Sequence, residues 1–109
     1  MAMKAAKKLA DGMRGGKKMI FTEQAFDDYQ YFLTQDPKTI KKINKLLKEV
    51  FRTPFEGTGK PELQAGLDGG WSRRIDSANR MIYFPEGNGD VTIAQLRYHY
   101  EKHDVVRAG

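Results

Sequence analysis

The sequence predicts a single α+β domain with the element order β-α-α-β-β-β, in which two helices pack on a mainly antiparallel sheet. Apolar residues recur at helical spacing between residues 23 and 52. Beyond residue 70, three strand-like runs are joined by short loops, which is typical of an antiparallel meander. A chain of 109 residues can bury one modest core, so no second domain is expected.

The charge of the chain does not by itself identify a partner. The formal net charge is +5, but the whole excess lies in residues 1–18, which hold six basic side chains and one acidic one. The rest of the chain is formally neutral. The absence of cysteine excludes disulfides and thiolate catalysis, and the two histidines, His99 and His103, fall on a predicted strand where they are poorly placed to share a metal. We therefore expect no metal site and no cofactor.

Three segments are predicted along the chain. Residues 1–17, rich in Ala, Gly and Lys, are typical of a flexible basic arm, although translation from an upstream start codon would produce the same extension. Residues 18–100 form the predicted domain, and residues 101–109 form a C-terminal tail. No apolar run is long enough for a signal peptide or a membrane span, so we expect a cytoplasmic protein without a membrane partner.

The first strand and helix are indicated by a short apolar run followed by a capping residue. Residues 19–21 suit a strand, and Thr22 can accept a hydrogen bond from an orphan N–H group at the start of a helix. Over residues 23–34 an apolar stripe is predicted to face the core, whereas Tyr31 falls off the stripe and should be partly exposed. The stripe comprises Phe26, Tyr29, Phe32 and Leu33.

The second helix is predicted to begin at Asp36, as the N-cap, with Pro37 at the first helical position, where its missing N–H costs nothing. One face of this helix is apolar and the remainder is rich in lysine. Two interpretations of the lysines stay open: a solvated surface, which is favoured, and a stripe that contacts the phosphates of ribosomal RNA. The lysines are Lys38, Lys41, Lys42, Lys45 and Lys48.

The segment between the second helix and the next strand predicts a long but packed loop. Residues 53–70 hold seven glycines and prolines, and loops of this length usually serve a function. This loop carries Glu62. In the strand that follows, Arg73 and Arg74 must point to opposite faces, so one can form a structural ion pair while the other reaches a cleft. Trp71 is expected in the core.

Three kinds of side chain could together cleave a phosphodiester without a metal, if one sheet gathers them. Glu62 is a carboxylate, His99 is an imidazole, and Arg80 offers fixed donors to phosphate oxygens while remaining charged. Taken singly, each has a more ordinary explanation, because a lone loop glutamate is usually solvated and an isolated histidine is usually structural.

Residues 18–100 resemble the Txe/YoeB toxins of the RelE/ParE superfamily over nearly their whole length. The resemblance rests on uncommon runs in matching order and spacing: IFTEQAFDDYQYF, the IKKINKLL helix, RTPFEGTGKPE, GGWSRRI, NRMIYF and RYHY. It implies a RelE-like fold and the toxin of a type II toxin–antitoxin pair, a ribosome-dependent messenger-RNA endonuclease that acts in the 30S A site. It also implies a cognate YefM-like antitoxin, and it allows a homodimer.

The same resemblance implies a role for each candidate residue. Glu62 would act as general base on the ribose 2′-OH, and His99 would act as general acid on the leaving 5′-oxygen. Arg80 would stabilise the charge of the transition state, and Tyr100 would orient the substrate or stack on it. The expected products are a 2′,3′-cyclic phosphate and a 5′-OH. Further contacts with RNA are expected from Lys60 and Arg74.

Departures from the family pattern leave two alternatives open. Glu62 is followed by LQAGLDGG, which is one residue shorter than usual, with Gln64 near the customary lysine. The chain also has an extra N-terminal arm and nine residues after Tyr100. A homologue that binds antitoxin or ribosome without cleaving RNA is one alternative, and a ParE-like toxin directed at DNA gyrase is the other. The presence of both an acid and a base favours the nuclease.

Overall fold

A computed structural model describes residues 17–97 of the chain. Residues 1–16 and 98–109 lie outside this part, and with them most of the predicted arm, the predicted tail, and both His99 and Tyr100. In the described part, no helix has the length and apolar character that a membrane span requires. The elements are β1 (Met19–Phe21), α1 (Glu23–Gln35), α2 (Pro37–Arg52), β2 (Glu62–Leu63), β3 (Trp71–Arg74), β4 (Arg80–Pro85) and β5 (Val91–Gln95).

The strands form one five-stranded sheet in the order β1-β5-β4-β3-β2. Neighbouring strands are antiparallel except β1 and β5, which run parallel. The predicted α+β fold, with two helices on a mainly antiparallel sheet, is confirmed. It has one addition, because β2 is a strand within the segment expected to be a loop. Two exposed residues between glycines and prolines have no alternating pattern, so backbone pairing with β3 alone defines this edge strand.

The main core lies between the helices and one face of the sheet. Fully burying a large apolar side chain contributes about 1.5–3 kcal/mol, so this layer is the chief source of stability. Trp71, expected in the core, is half-buried and packs against this layer, with its ring 5.0 Å from that of Phe55. The fully buried members on the helices include Phe32, Ile43, Leu46 and Val50, and those on the sheet include Met81, Tyr83, Val91 and Ile93.

Both helices begin where the sequence predicts. The side chain of Thr22 accepts a hydrogen bond from the backbone N–H of Ala25 at 3.0 Å, so it caps α1. Asp36 occupies the N-cap position of α2, before Pro37, but its carboxylate does not bind a backbone N–H of the first turn. Instead it accepts a bond of 2.6 Å from the hydroxyl of Thr39. The proline therefore marks the start of α2 more directly than the cap does.

The buried face of α1 differs from the predicted stripe. Phe26 and Leu33 are 55% and 43% exposed, so their assignment to the core was wrong. The buried residues are Ala25, Asp28 and Phe32. The reason is that Asp28 turns inward to bind backbone N–H groups at the end of β5, and a buried carboxylate is invisible to a pattern of apolar residues.

The opposite face of the sheet carries a smaller apolar cluster beneath residues 64–70. Leu67 of this loop packs with Ile82, Phe84 and Ala94. Gly70 is required here, because a Cβ atom would lie 2.8 Å from Cβ of Leu67 and 3.0 Å from Cε1 of Phe84. The loop thus covers the Phe84 end of this face and leaves its other end open.

Candidate active site

Three predicted site residues lie on the sheet face that is turned away from the helices. Glu62 pairs with Ser72, and Ser72 pairs with Ile82, so these side chains share a face. Arg74 is two residues beyond Ser72 and pairs with Arg80, which puts both arginines on that face as well. The sheet therefore gathers a carboxylate and two guanidiniums at the open end of one surface.

Arg74 and Arg80 form a cross-strand pair of like charge. Arg74 is exposed and Arg80 is half-buried. Within residues 17–97, neither side chain makes a hydrogen bond or an ion pair. Like charges directly opposite each other destabilise a sheet by roughly 0.2–1 kcal/mol. An anion placed between the two strands would relieve this repulsion, so the pair is suited to a phosphate.

Arg73 lies between Ser72 and Arg74 in sequence, so its side chain points to the opposite face of the sheet, where it has a structural role. Its side chain is fully buried, and the five N–H donors of the guanidinium find acceptors on two side chains and on the loop after α2. The expectation that one of Arg73 and Arg74 is structural and the other open is thereby confirmed. The acceptors are Tyr83 Oη (3.2 Å), Glu49 Oε1 (3.2 Å), and the carbonyl oxygens of Thr53, Glu56 (2.7 Å) and Thr58 (3.3 Å).

Glu49 and Tyr83 complete the anchor of this loop. The N–H of Thr58 donates to the carboxylate of Glu49 at 2.8 Å. This bond and the Arg73 guanidinium together lower the pKa of Glu49, against the opposing effect of burial. Burial raises the pKa of Tyr83, whose hydroxyl donates to the carbonyl of Pro54 at 2.6 Å. Side chains from α2, β3 and β4 thus hold residues 53–58, which lead into β2 and so to Glu62.

Lys60 borders a groove of about 440 Å³ beside the end of β3. Its backbone has φ = +51°, in the left-handed region that is costly for any residue with a Cβ atom. Lys60 and Arg74, the two predicted RNA contacts, therefore line one depression, together with Lys42 from α2. The remaining lining residues are Gly59, Ile75, Asp76 and Ser77.

One carboxylate offsets part of the positive charge of this groove. Burial raises the pKa of Asp76, but bonds from the N–H groups of Ala78 and Asn79 outweigh it, so the net pKa is lowered. These bonds also close the turn between β3 and β4. The groove keeps three cationic side chains against one anionic side chain, a balance that favours a polyanion.

Two further residues make contacts near the site that the sequence did not predict. Gln64, which takes the place of the customary lysine, donates to Ser72 Oγ at 2.8 Å on the same face as Glu62. Asp28 accepts bonds from the chain beyond β5. A signal for Asp28 did exist, because it lies at helical spacing between the buried Ala25 and Phe32.

The two remaining predicted residues, His99 and Tyr100, lie outside the described part of the chain. Arg97 is the last described residue and precedes His99 by two positions. β5 runs antiparallel to β4 and so points toward the end of the sheet where Arg80 lies. Among residues 17–97, no three carboxylate or imidazole side chains are grouped closely enough to hold a metal ion.

The sequence has clear relatives. Residues 21–100 match the family described as YoeB-like toxin of bacterial type II toxin-antitoxin system. The chain is 48% identical over 84 residues to Toxin YoeB of Escherichia coli (strain K12), an alignment that covers 76% of this chain and 99% of that relative.

Solved structures of similar proteins share the fold. The YoeB/ParE toxin from Agrobacterium tumefaciens is 40% identical, with a TM-score of 0.72 over 76% of this chain and 99% of that one. The heterotetrameric YoeB–YefM toxin–antitoxin complex from Staphylococcus aureus contains a chain that is 45% identical, with a TM-score of 0.68 over 77% and 98%. The YoeB dimer from the same organism is 44% identical, with a TM-score of 0.69 over 77% and 98%.

Proposed function

The chain belongs to the YoeB-like toxins of bacterial type II toxin–antitoxin systems, and we propose that it is a ribosome-dependent endoribonuclease that cleaves messenger RNA and so inhibits translation. One observation carries the proposal: Glu62, Arg74 and Arg80 share the open end of one sheet face. A carboxylate beside guanidiniums that have no partner within residues 17–97 is an arrangement suited to a phosphodiester with a neighbouring hydroxyl.

In the proposed reaction the substrate supplies its own nucleophile. Glu62 accepts the proton of the ribose 2′-OH as the 2′-oxygen bonds to phosphorus. The bond from phosphorus to the 5′-oxygen breaks, and His99 donates a proton to that oxygen. The products are a 2′,3′-cyclic phosphate and a 5′-OH. Each assisted proton transfer contributes about 10²–10⁴-fold to the rate.

The dimensions of the sheet suit these roles. With a strand spacing of about 4.8 Å and a rise of about 3.4 Å per residue, the Cα atoms of Glu62 and Arg80 lie roughly 12 Å apart. Their side chains extend toward the same side of the sheet, so both can reach one ribose-phosphate unit. Arg80 would bind the non-bridging oxygens, where charge accumulates in the transition state.

Other predicted residues would bind the substrate around the scissile bond. Lys60 and Arg74 line the groove beside the sheet and would contact flanking phosphates, which position RNA without reading its sequence. Tyr100 would orient the nucleotide or stack on it. Because the attacking group is the 2′-OH, DNA should not be cleaved.

The partners follow from the relatives. The similar toxin from Staphylococcus aureus forms a complex with YefM, and it also forms a dimer. We infer that the present chain is neutralised by a YefM-like antitoxin and that it can form a homodimer. Its substrate would be messenger RNA in the 30S A site of the translating ribosome, which locates the activity in the cytoplasm.

Induced expression in bacteria tests the proposal. The wild type should arrest growth and leave messenger RNA cut within translated codons, with 5′-OH ends. Glu62→Gln and His99→Ala should abolish both effects, whereas Glu56→Gln, an exposed glutamate of the same loop, should behave as the wild type.

Three results would contradict the nuclease. Equal toxicity of the wild type, Glu62→Gln and His99→Ala would remove the acid–base roles. Intact messenger RNA with gyrase-dependent DNA damage would indicate a ParE-like toxin. A well-folded wild type that binds ribosomes or antitoxin without arresting growth would indicate a binding protein that has lost its activity.

A further inference from the structure

We propose that Asp28 is a positioning residue, a buried carboxylate on α1 that holds the segment leading to His99. The proposal rests on the function proposed above for His99. Asp28 is 3% exposed, and its Oδ2 atom accepts hydrogen bonds from the backbone N–H groups of Leu96 at 2.9 Å and Arg97 at 3.2 Å. These are the last two residues that the structure describes before the RYHY run is completed.

The contact of Asp28 with the chain is strong because the carboxylate is buried and fully used. Its other oxygen, Oδ1, accepts a bond of 2.7 Å from the side-chain amide of Gln24. A buried carboxylate without such partners would be strongly destabilising, and hydrogen bonds to an ionised acceptor are about twice as strong as neutral ones. β5 ends at Gln95, so Asp28 accepts the N–H groups just past the point where the strand ladder stops.

A second residue of α1, Tyr31, contacts the side chain of Arg97. The ring of Tyr31, partly exposed as the sequence predicts, lies against the guanidinium of Arg97, with Cζ 3.4 Å from the ring centroid. In such a contact the face of the ring attracts the positive charge of the guanidinium. Asp28 and Tyr31 are three residues apart and therefore neighbours on the helix surface. Together they hold the backbone and the side chain of Arg97.

The position of this contact suggests why α1 matters to the reaction. Arg97 precedes His99 by two positions, and two residues span at most about 7 Å, so α1 fixes the chain within that length of backbone before the candidate acid. A displacement of about 1 Å at a catalytic group can lower a rate by about 100-fold. Asp28 itself is buried between α1 and the chain just past β5, so its effect on cleavage would act through the position of His99.

Single-turnover cleavage of messenger RNA on purified ribosomes, measured for each purified variant, tests the proposal. Asp28→Ala should lower the rate by about 10–100-fold, because the chain loses its acceptor. Asp28→Asn keeps one oxygen that can accept both N–H groups, and rotation of the Gln24 amide restores the other bond, so the rate should stay within about threefold of wild type. Asp27→Ala, next to it but exposed, should have no effect.

A lower rate caused by misplacement of His99 has to be distinguished from one caused by a general loss of stability. Ile43→Val is a matched control, since it removes one methylene group from the core on α2 and none of the hydrogen bonds to this segment. Rates are measured at a temperature where all variants are more than nine-tenths folded. Tyr31→Leu removes the ring against Arg97, together with the edge contact of that ring with Phe32, and should lower the rate in the same direction but less, so the test does not depend on Asp28→Ala being able to fold.

The NMR signal of the His99 ring provides a readout that does not require activity. Substituting the other histidine, His103→Ala, leaves one imidazole in the full chain. In this background, Asp28→Ala and Tyr31→Leu should move the ring signals of His99, whereas Asp27→Ala and Ile43→Val should not. Unmoved signals in both α1 variants, or rates no lower than that of Ile43→Val, would overturn the proposal. Absence of cleavage by the wild type would instead refute the nuclease, and the ring signals would still decide the role of Asp28.

Discussion

Arg74 and Arg80 stand directly opposite each other on β3 and β4, and within residues 17–97 neither guanidinium is paired with a carboxylate. A fold that optimised only its own stability would place opposite charges at such a position. If the pair binds an anion, as proposed, binding and the stability of the free protein oppose each other at this position, and substitution should separate the two properties.

Arg74→Gln should raise stability while weakening RNA binding. Relief of the like-charge pair should increase the free energy of unfolding by roughly 0.2–1 kcal/mol. Loss of one phosphate contact should reduce the slope of log affinity against log salt by about 0.7 for a single strand. Urea denaturation and binding titrations at several salt concentrations measure the two effects. Lys38→Gln, which alters an exposed lysine of α2, is the control and should leave the slope unchanged. Equal slopes for Arg74→Gln and wild type would contradict the assignment of Arg74 as a phosphate contact.

Arg73→Lys should destabilise the fold even though it keeps the positive charge. Lysine has three donors on a single nitrogen and cannot reach the five acceptors that surround the guanidinium. Since each hydrogen bond to a charged group contributes about 1.5–3 kcal/mol, a loss of about 2 kcal/mol or more is expected in urea denaturation. Arg52→Lys, at the exposed end of α2, should change little. An unfolding free energy equal to wild type for Arg73→Lys would show that the loop is anchored by other contacts.

Lys60→Gly should stabilise the protein and reduce its activity. Glycine adopts φ = +51° without the strain of a Cβ atom, so a gain of up to about 1 kcal/mol is expected, even after the added freedom of the unfolded chain. Cleavage should fall because a cation is lost from the groove. Gly59→Ala should have the opposite effect on thermal stability, since its Cβ atom would lie 2.9 Å from the carbonyl oxygen of Arg74. Cleavage by Lys60→Gly at the wild-type rate would remove Lys60 from the RNA contacts.

Stability should decrease in acid, in part through Glu49. The pKa of Glu49 in the folded protein is lowered from its ordinary value of 4.5, so the unfolded chain binds a proton more readily than the folded one. The resulting stabilisation is present above pH 4.5 and is lost as the pH falls through the lowered folded pKa. Urea denaturation as a function of pH should therefore show a shallower acid decline in Glu49→Gln than in wild type.

Acid should still destabilise Glu49→Gln, because the pKa of Asp76 in the folded protein is also lowered from its ordinary value. Asp76 therefore also loses its stabilising contribution as the pH falls. Glu56→Gln, which alters an exposed carboxylate outside this network, should follow the wild-type curve. Identical acid declines for Glu49→Gln and wild type would mean that the bond from the Thr58 N–H group and the ion pair with Arg73 contribute nothing to the pH dependence.

Much of the fold could be predicted because its signals are local. Thr22 and Pro37 mark the starts of the two helices, and the strands of the meander are separated by short turns. The exceptions depend on distant parts of the chain. β2 exists only through pairing with β3, and the inward turn of Asp28 depends on N–H groups that lie 68 and 69 residues further along the chain. No window along the sequence contains both partners.

In the candidate site, too, some features could be predicted from local sequence and others depend on distant parts of the chain. The resemblance to a toxin family named Glu62 and Arg80, and the alternation of strand residues separated Arg73 from Arg74. The direct opposition of Arg74 and Arg80 could not be foreseen, because it depends on the register that the turn at residues 75–79 imposes on β3 and β4. A register shifted by one residue would have placed Arg80 among the core side chains.

The parallel pairing of β1 with β5 has a consequence for the newborn chain. β1 is the first strand described, and its sole neighbour in the sheet is the last one, with Met19 paired to Val91. During synthesis β1 must wait for almost the whole domain to emerge before it finds a partner, since contacts so distant in sequence form late. A truncated product that ends before β5 would therefore leave β1 without this partner and the sheet incomplete.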